Sequence, residues 1–302
     1  MHDIVVVGGG PAGMTAALYA LRNGRSVLII EKEGFGGQIT HSPKVENYPG
    51  YTSLSGNELA DHMMEQVMNQ GADIEIETVT GIRDEGNKKI VVTEEGSEYE
   101  AGAVVIAVGV KHRMLGLPGE DELVGEGISF CAVCDGDFYT GREVIMVGGG
   151  NSALQEAILL SDKCAKVTIV QDMPFLTGEK KLQDILEARS NVTVYVNQRV
   201  TGLLTESGEF KGIRTSDSQT GKEQELYADG MFVAIGLIPE NEGFKDLADL
   251  NDRGYFDTDE TCTTRTPGIF VAGDCRSKSI RQVTTACADG AVAALAACRY
   301  LN

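Results

Sequence analysis

Short runs of aliphatic residues recur along the chain, each followed by glycines and then by apolar positions three or four apart. The first run, residues 3–7, is apolar at every position after Asp3, the pattern of a strand covered on both faces. Residues 11–23 place Met14, Leu18 and Leu21 on one helical face, and residues 26–30 return to a strand pattern. Strands are also expected at residues 74–79, 89–93 and 103–108. The same order then returns: strand 143–147, helix 151–161 with Ala153, Ala157 and Leu160 in its stripe, and strand 166–170. Strands at 192–196, 200–205, 212–215 and 231–235 follow, then a strand at 268–272 and an alanine-rich helix at 281–300. Two β-α-β units predict an α/β chain of two Rossmann-like, three-layer nucleotide-binding domains.

At 302 residues the chain is long for one core. Glycine, proline and acidic residues crowd 109–126, and residues 236–239 offer a return crossing. The second domain, 114–241, is therefore expected as an insertion into the first, 1–113 plus 242–302. With 45 acidic against 26 basic side chains and a net charge of −19, the surface repels phosphate backbones and anionic lipid. Neither nucleic acid nor a membrane is an expected partner. No apolar run nears the roughly 18 residues of a membrane span, and the first strand begins at once, without a leader. Of seven cysteines only Cys131 and Cys134 have suggestive spacing; Cys164, Cys262, Cys275, Cys287 and Cys298 read as the reduced thiols of a cytoplasmic protein.

Gly8, Gly10 and Gly13, with Pro11 and Ala12 between them, form G-x-G-x-x-G at a strand exit. Such a turn brings backbone N–H groups and a helix start to a pyrophosphate, and Glu31 is spaced to bond a ribose 2′-hydroxyl. This much fits FAD or NAD equally. Gly273-Asp274, ending the strand at 268–272, is suited to offering a carboxylate to a ribityl hydroxyl and favours FAD. Cys131-Ala-Val-Cys134 can close a small disulfide ring, and Asp135 beside it can give or take a proton. The competing zinc reading needs two further ligands, and only four histidines and no second C-x-x-C are present, so no metal is expected.

Gly8–Gly13, Gly36-Gly37-Gln38, Glu46-Asn47-Tyr48-Pro49-Gly50, Cys131–Gly136, Gly148–Ala153, and Gly273-Asp274 through Arg281-Gln282-Val283 occur in this order over essentially the full length. In that respect the chain resembles the low-molecular-weight bacterial thioredoxin reductases. The resemblance implies a cytoplasmic homodimeric flavoenzyme that passes electrons from a reduced nicotinamide through FAD and a dithiol to thioredoxin or a glutaredoxin-like protein. It implies Cys134 as the flavin-side thiol, Cys131 as the thiol that attacks the partner disulfide, and Asp135 as acid/base. FAD contacts are expected from the first glycine motif, Glu31, Lys32, Gly36, Gly37, Gln38, Asn47, Ala107, Gly109, Gly273, Asp274, Arg281, Gln282 and Val283. Nicotinamide-nucleotide contacts are expected from Gly148, Gly150, Asn151, Ser152, Ala153, Gln171, Asp172, Ile235 and Gly236.

One stretch departs from the family. Members that use NADPH carry a His-Arg-Arg cluster and a further Arg after the second strand of this domain; here residues 170–177 hold no cation, and Asp172 stands among them. Losing two charge-assisted hydrogen bonds of roughly 1.5–3 kcal/mol each weakens phosphate binding by ~100-fold or more. The expectation is NADH over NADPH. Alternatives are a ferredoxin-dependent thioredoxin reductase, an FAD-dependent dithiol oxidase, and a flavin-binding scaffold with an inert dithiol; the retained Gly148–Ala153 motif argues against the first two.

Overall fold

The computed structural model describes residues 1–42 and 45–302. Two compact units are formed, one from Met1–Thr40, Tyr48–Lys111 and Ile238–Asn302, the other from the described residues of His41–Asn47 together with His112–Leu237. Besides the two changes that flank His41–Asn47, the chain changes unit within the short strands Lys111–His112 and Leu237–Ile238, which pair with each other.

In the first unit five parallel strands lie in the order Asp73–Ile76, Val27–Glu31, His2–Val7, Glu98–Ile106 and Ile269–Val271. Ile4 is opposite Val27 and Val7 opposite Ile106, so the strand ends stay aligned where the glycine turn leaves the sheet. The outer half of Glu98–Ile106 pairs antiparallel with Lys89–Thr93, which pairs with Val79–Asp84. The strand expected at 74–79 is therefore two strands with different partners. Glu77 breaks it: its N–H donates to Glu31 O at 3.0 Å, and its carboxylate accepts from Tyr99 Oη at 2.7 Å. On one face the helices Pro11–Arg22 and Val283–Tyr300 meet through Ala12, Ala16, Ala286, Ala293 and other small residues. They approach so closely that a Cβ on Gly290 would lie 2.1 Å from the Ala12 carbonyl oxygen. The opposite face buries Val5, Leu28, Val104, Phe244 and Phe256.

The second unit has an all-parallel sheet in the order Val192–Tyr195, Lys166–Val170, Glu143–Val147, Gly230–Val233, Ile128–Ser129. Val144, Met146, Val167, Ile169 and Phe232 pack under the helix Asn151–Ser161. On the other face Ile145, Val147 and Met231 are covered by Val200, Phe210 and Ile213 from an antiparallel sheet of Gln198–Glu206, Glu209–Asp217 and Glu223–Tyr227. Among the described residues no helix is long and apolar enough to cross a membrane, and no cluster of His, Cys, Asp and Glu side chains is placed to hold a metal ion.

Candidate active site

The first glycine turn is built by close contact. Gly8 has φ +106°, and a Cβ there would sit 2.4 Å from Ala107 O; one on Gly13 would sit 1.9 Å from Gly8 O. Gly10 leads into the helix Pro11–Arg22 with no side-chain cap, and a Cβ on it would meet nothing within 4 Å. The cradle is thus tight beneath the turn and open above it. Glu31 is buried at the end of its strand and accepts from the N–H of Gly9 at 2.6 Å and of Glu33 at 3.1 Å. A carboxylate has about four acceptor sites, so capacity for a ribose hydroxyl remains. Gly36 donates to Gly9 O at 2.9 Å, while Gly37 and Gln38 are exposed at the start of the turn Gly37–His41. Lys32 pairs with Glu240 at 2.8 Å, Asn47 is exposed in the segment that groups with the second unit, and Gly109 has φ +66°.

Gly273 and Asp274 reach this cradle from the last strand; a Cβ on Gly273 would lie 2.8 Å from that of Ala12. Asp289 accepts the Gly273 N–H at 3.1 Å. Arg281 donates to the carbonyls of Asp274 (3.2 Å) and Arg276 (3.1 Å) and lies 4.3 Å from the centre of the Tyr255 ring. Gln282 donates its N–H to Thr285 Oγ1 and leads into the last helix, which Val283 begins. Asp274 Oδ1 is buried with no hydrogen-bond partner; the Lys278 amine, 4.0 Å away, is too far to donate. Burial pushes the Asp274 carboxyl up to about 6, against the pull of Lys278 and Arg281. A buried acceptor of this kind calls for a hydroxyl donor. These residues therefore fit FAD, whose ribityl chain carries such hydroxyls.

The second cradle repeats the design with changed chemistry. Gly148 has φ +129° and a Cβ on it would lie 2.5 Å from Ala234 O, just ahead of Ile235 and Gly236. Gly150 leads into the helix Asn151–Ser161, and Ala153 is buried where the first cradle has Gly13. Gln171 is buried against the loop; a Cβ on Gly149 would lie 2.7 Å from its Cδ. Asp172, next to it in sequence, is exposed, as is Ser152. Thr177 and Gly178 both donate N–H groups to Gly149 O at 2.8 Å, and Glu179 exchanges hydrogen bonds with the Asn151 side chain at 2.7 and 3.1 Å. Lys180 is paired with Asp184 at 2.7 Å.

Cys131 and Cys134 form a disulfide on the four-residue turn Ala132–Asp135, with Cα atoms 5.3 Å apart. The Cys134 N–H donates to Cys131 Sγ at 3.2 Å. Asp135 is buried beside them, its carboxylate accepting from Ser129 Oγ at 2.6 Å and Ser42 Oγ at 3.3 Å. Ser129 Oγ in turn accepts the Cys131 N–H at 3.1 Å. Burial raises the Asp135 carboxyl above its ordinary range, and the two hydroxyls pull it back. Sequence reasoning missed three groups here: Ser129, Ser42 and Glu156. Glu156, on the helix Asn151–Ser161, accepts the Ala132 N–H at 3.3 Å. Ser129 had a local signal, a hydroxyl two residues ahead of the first cysteine. The other two come from distant segments and had none.

The pattern that defines the pyridine nucleotide-disulphide oxidoreductases matches residues 2–290. The chain is 40% identical over 302 residues to a thioredoxin reductase of Bacillus subtilis, covering 100% of this chain and 95% of that one. It is 42% identical over 301 residues to a 34.2 kDa protein in the rubredoxin operon of Clostridium pasteurianum, covering 99% and 97%. The crystal structure of a Streptococcus pyogenes thioredoxin reductase superposes with a TM-score of 0.93 at 40% identity, covering 100% of this chain and 98% of that one.

Proposed function

This chain belongs to the pyridine nucleotide-disulphide oxidoreductase family, and we propose that within it the protein is a thioredoxin reductase working through Cys131 and Cys134. The observation that carries this reading is the disulfide on an exposed-tipped turn, Val133 being 52% exposed, with the buried carboxyl of Asp135 alongside. FAD, when bound, takes up an electron pair from a reduced nicotinamide and supplies it to the disulfide. Addition of that pair breaks the sulfur–sulfur bond and leaves two thiolates. Asp135 hands its proton to one of them, and Ser129 and Ser42 hold the resulting carboxylate. The Cys131 thiolate attacks the disulfide of a thioredoxin-type protein, forming a mixed disulfide and releasing one partner thiolate. Cys134 then attacks Cys131, restoring the original bond and releasing the second. As Cys134 attacks, Asp135 takes back the proton it gave that sulfur. The two partner thiolates are protonated by water and by Asp135, itself reprotonated from water, which restores the starting state.

NADH is the nicotinamide this site favours. Around the second cradle lie the Gln171 amide, Asp172 and Glu179, while Lys180 is committed to Asp184. A ribose hydroxyl can bond to these groups; a 2′-phosphate is repelled by the two carboxylates. The reading includes a homodimer, and a cytoplasmic location, which the five free thiols suit. The test is thioredoxin reduction by the FAD-loaded protein with NADH, NADPH or reduced ferredoxin as donor. Activity surviving Cys134→Ser refutes the dithiol mechanism, and kcat/KM for NADPH equal to that for NADH refutes the donor preference.

A further inference from the structure

Glu156 is used by no step above, yet its carboxyl reaches the dithiol turn. The helix Asn151–Ser161 packs against the turn Ala132–Asp135, and Glu156 Oε2 accepts the N–H of Ala132, the residue directly after Cys131. That N–H heads the same turn whose Cys134 N–H points at Cys131 Sγ. We propose that Glu156 is a positioning residue of the dithiol: it anchors the head of the C-x-x-C turn, and its negative charge, when present, opposes thiolate formation at the reduced pair. The inference rests on the dithiol reading above.

The surroundings leave this carboxyl few neighbours of its own kind. The charge acting on it is that of Asp135, and burial raises its proton affinity to about 7, the Ala132 N–H pulling the other way. Tyr139, Asp137 (paired with Lys163) and the dithiol itself are the other titratable groups on the elements at that end of the helix. The sheet beneath presents Val144, Met146, Val167 and Ile169. On the helix Lys180–Glu187, Lys180 pairs with Asp184 and Glu187 on an exposed surface. Glu156 thus changes charge near neutral pH beside a group that gains charge on reduction. Like charges disfavour one another, so the ionised carboxylate holds the thiol in its protonated form.

The experiment reads thiols rather than turnover. FAD-loaded protein is reduced anaerobically with dithiothreitol, which becomes the cyclic disulfide as Cys131–Cys134 becomes the dithiol. After its removal, the rate of iodoacetamide alkylation at these two cysteines is followed by peptide mass spectrometry from pH 5.5 to 9. Glu156→Gln keeps an acceptor for the Ala132 N–H and removes only the charge. Expected just above pH 7 is a thiolate-dependent alkylation up to roughly tenfold faster in Glu156→Gln, one pK unit, with the two profiles converging below pH 6 and narrowing again as both thiols ionise toward pH 9. Glu156→Asp, which retains the charge, is expected to follow the wild-type profile. Parallel wild-type and Gln profiles overturn the proposal, as does an Asp variant that follows Gln. A disulfide that dithiothreitol cannot reduce overturns the dithiol reading and this proposal with it, and is told apart by the absence of alkylation at any pH.

Discussion

Replacing Gly290 by alanine sets two energies of opposite sign against each other. Alanine at an interior helix position gains up to about 1 kcal/mol over glycine. Here, however, the new Cβ would stand 2.1 Å from Ala12 O, 3.0 Å from Ala12 C and 3.1 Å from Ala16 N. All three are backbone atoms of the neighbouring helix, so no side-chain rotation relieves the overlap. Either helix must move, and overpacking of this kind costs about 1–3 kcal/mol or more. The net expectation is a loss of about 1–2 kcal/mol, a fall in Tm of roughly 3–6 °C for a unit of this size. Ala12 sits in the first turn of the helix that opens the glycine cradle, so the same displacement should loosen FAD. Differential scanning calorimetry, with flavin fluorescence recording release in the same scan, measures both. A Tm equal to or above wild type would show that the helices part freely and that the close approach is not a constraint.

Removing the Asp274 carboxyl should act in opposite directions on the two forms of the protein. Asp274→Ala is expected to weaken FAD binding by roughly tenfold to a hundredfold, the loss of one charged hydrogen bond, while the FAD-free protein keeps or gains Tm because a buried unpartnered acceptor is gone; equal FAD affinity refutes the assignment. For Glu156 the folded-state value, about 7, lies above the ordinary 4.5, so its contribution to stability is full below 4.5 and is lost as pH rises through 7. Glu156→Gln should therefore gain stability over wild type progressively between pH 4.5 and 7, read as the Tm difference in a pH series; a constant difference refutes the assignment of burial as the cause.

Much of this architecture was legible because the signals were local. An all-apolar strand followed by a glycine turn and a helix names itself, and both cradles fell on the expected elements. The run at 74–79 misled because Glu77 sits in a β-like pattern whose break depends on Tyr99 and Glu31, distant in sequence. Gln171 and Asp172 offer similar hydrogen-bonding chemistry in sequence; the strand ends at Val170, and of the two residues that follow it the first is buried against Gly149 and the second lies in solvent. Glu156 was invisible for a similar reason. Beside Gln155 it reads as the wet side of an amphipathic helix, and only the packing of a separate four-residue turn over it takes it out of water.

The pairing of Lys111–His112 with Leu237–Ile238 means that the inserted unit begins and ends at one doorway. A segment whose two ends are neighbours can be exchanged without re-routing the host chain. The dithiol and the second cradle travel together in that segment, while the Asp274 cradle stays behind. Residues His112–Leu237 thus form one exchangeable stretch of gene, on the condition that the host keeps Ser42, which reaches Asp135 from the separate His41–Asn47 segment.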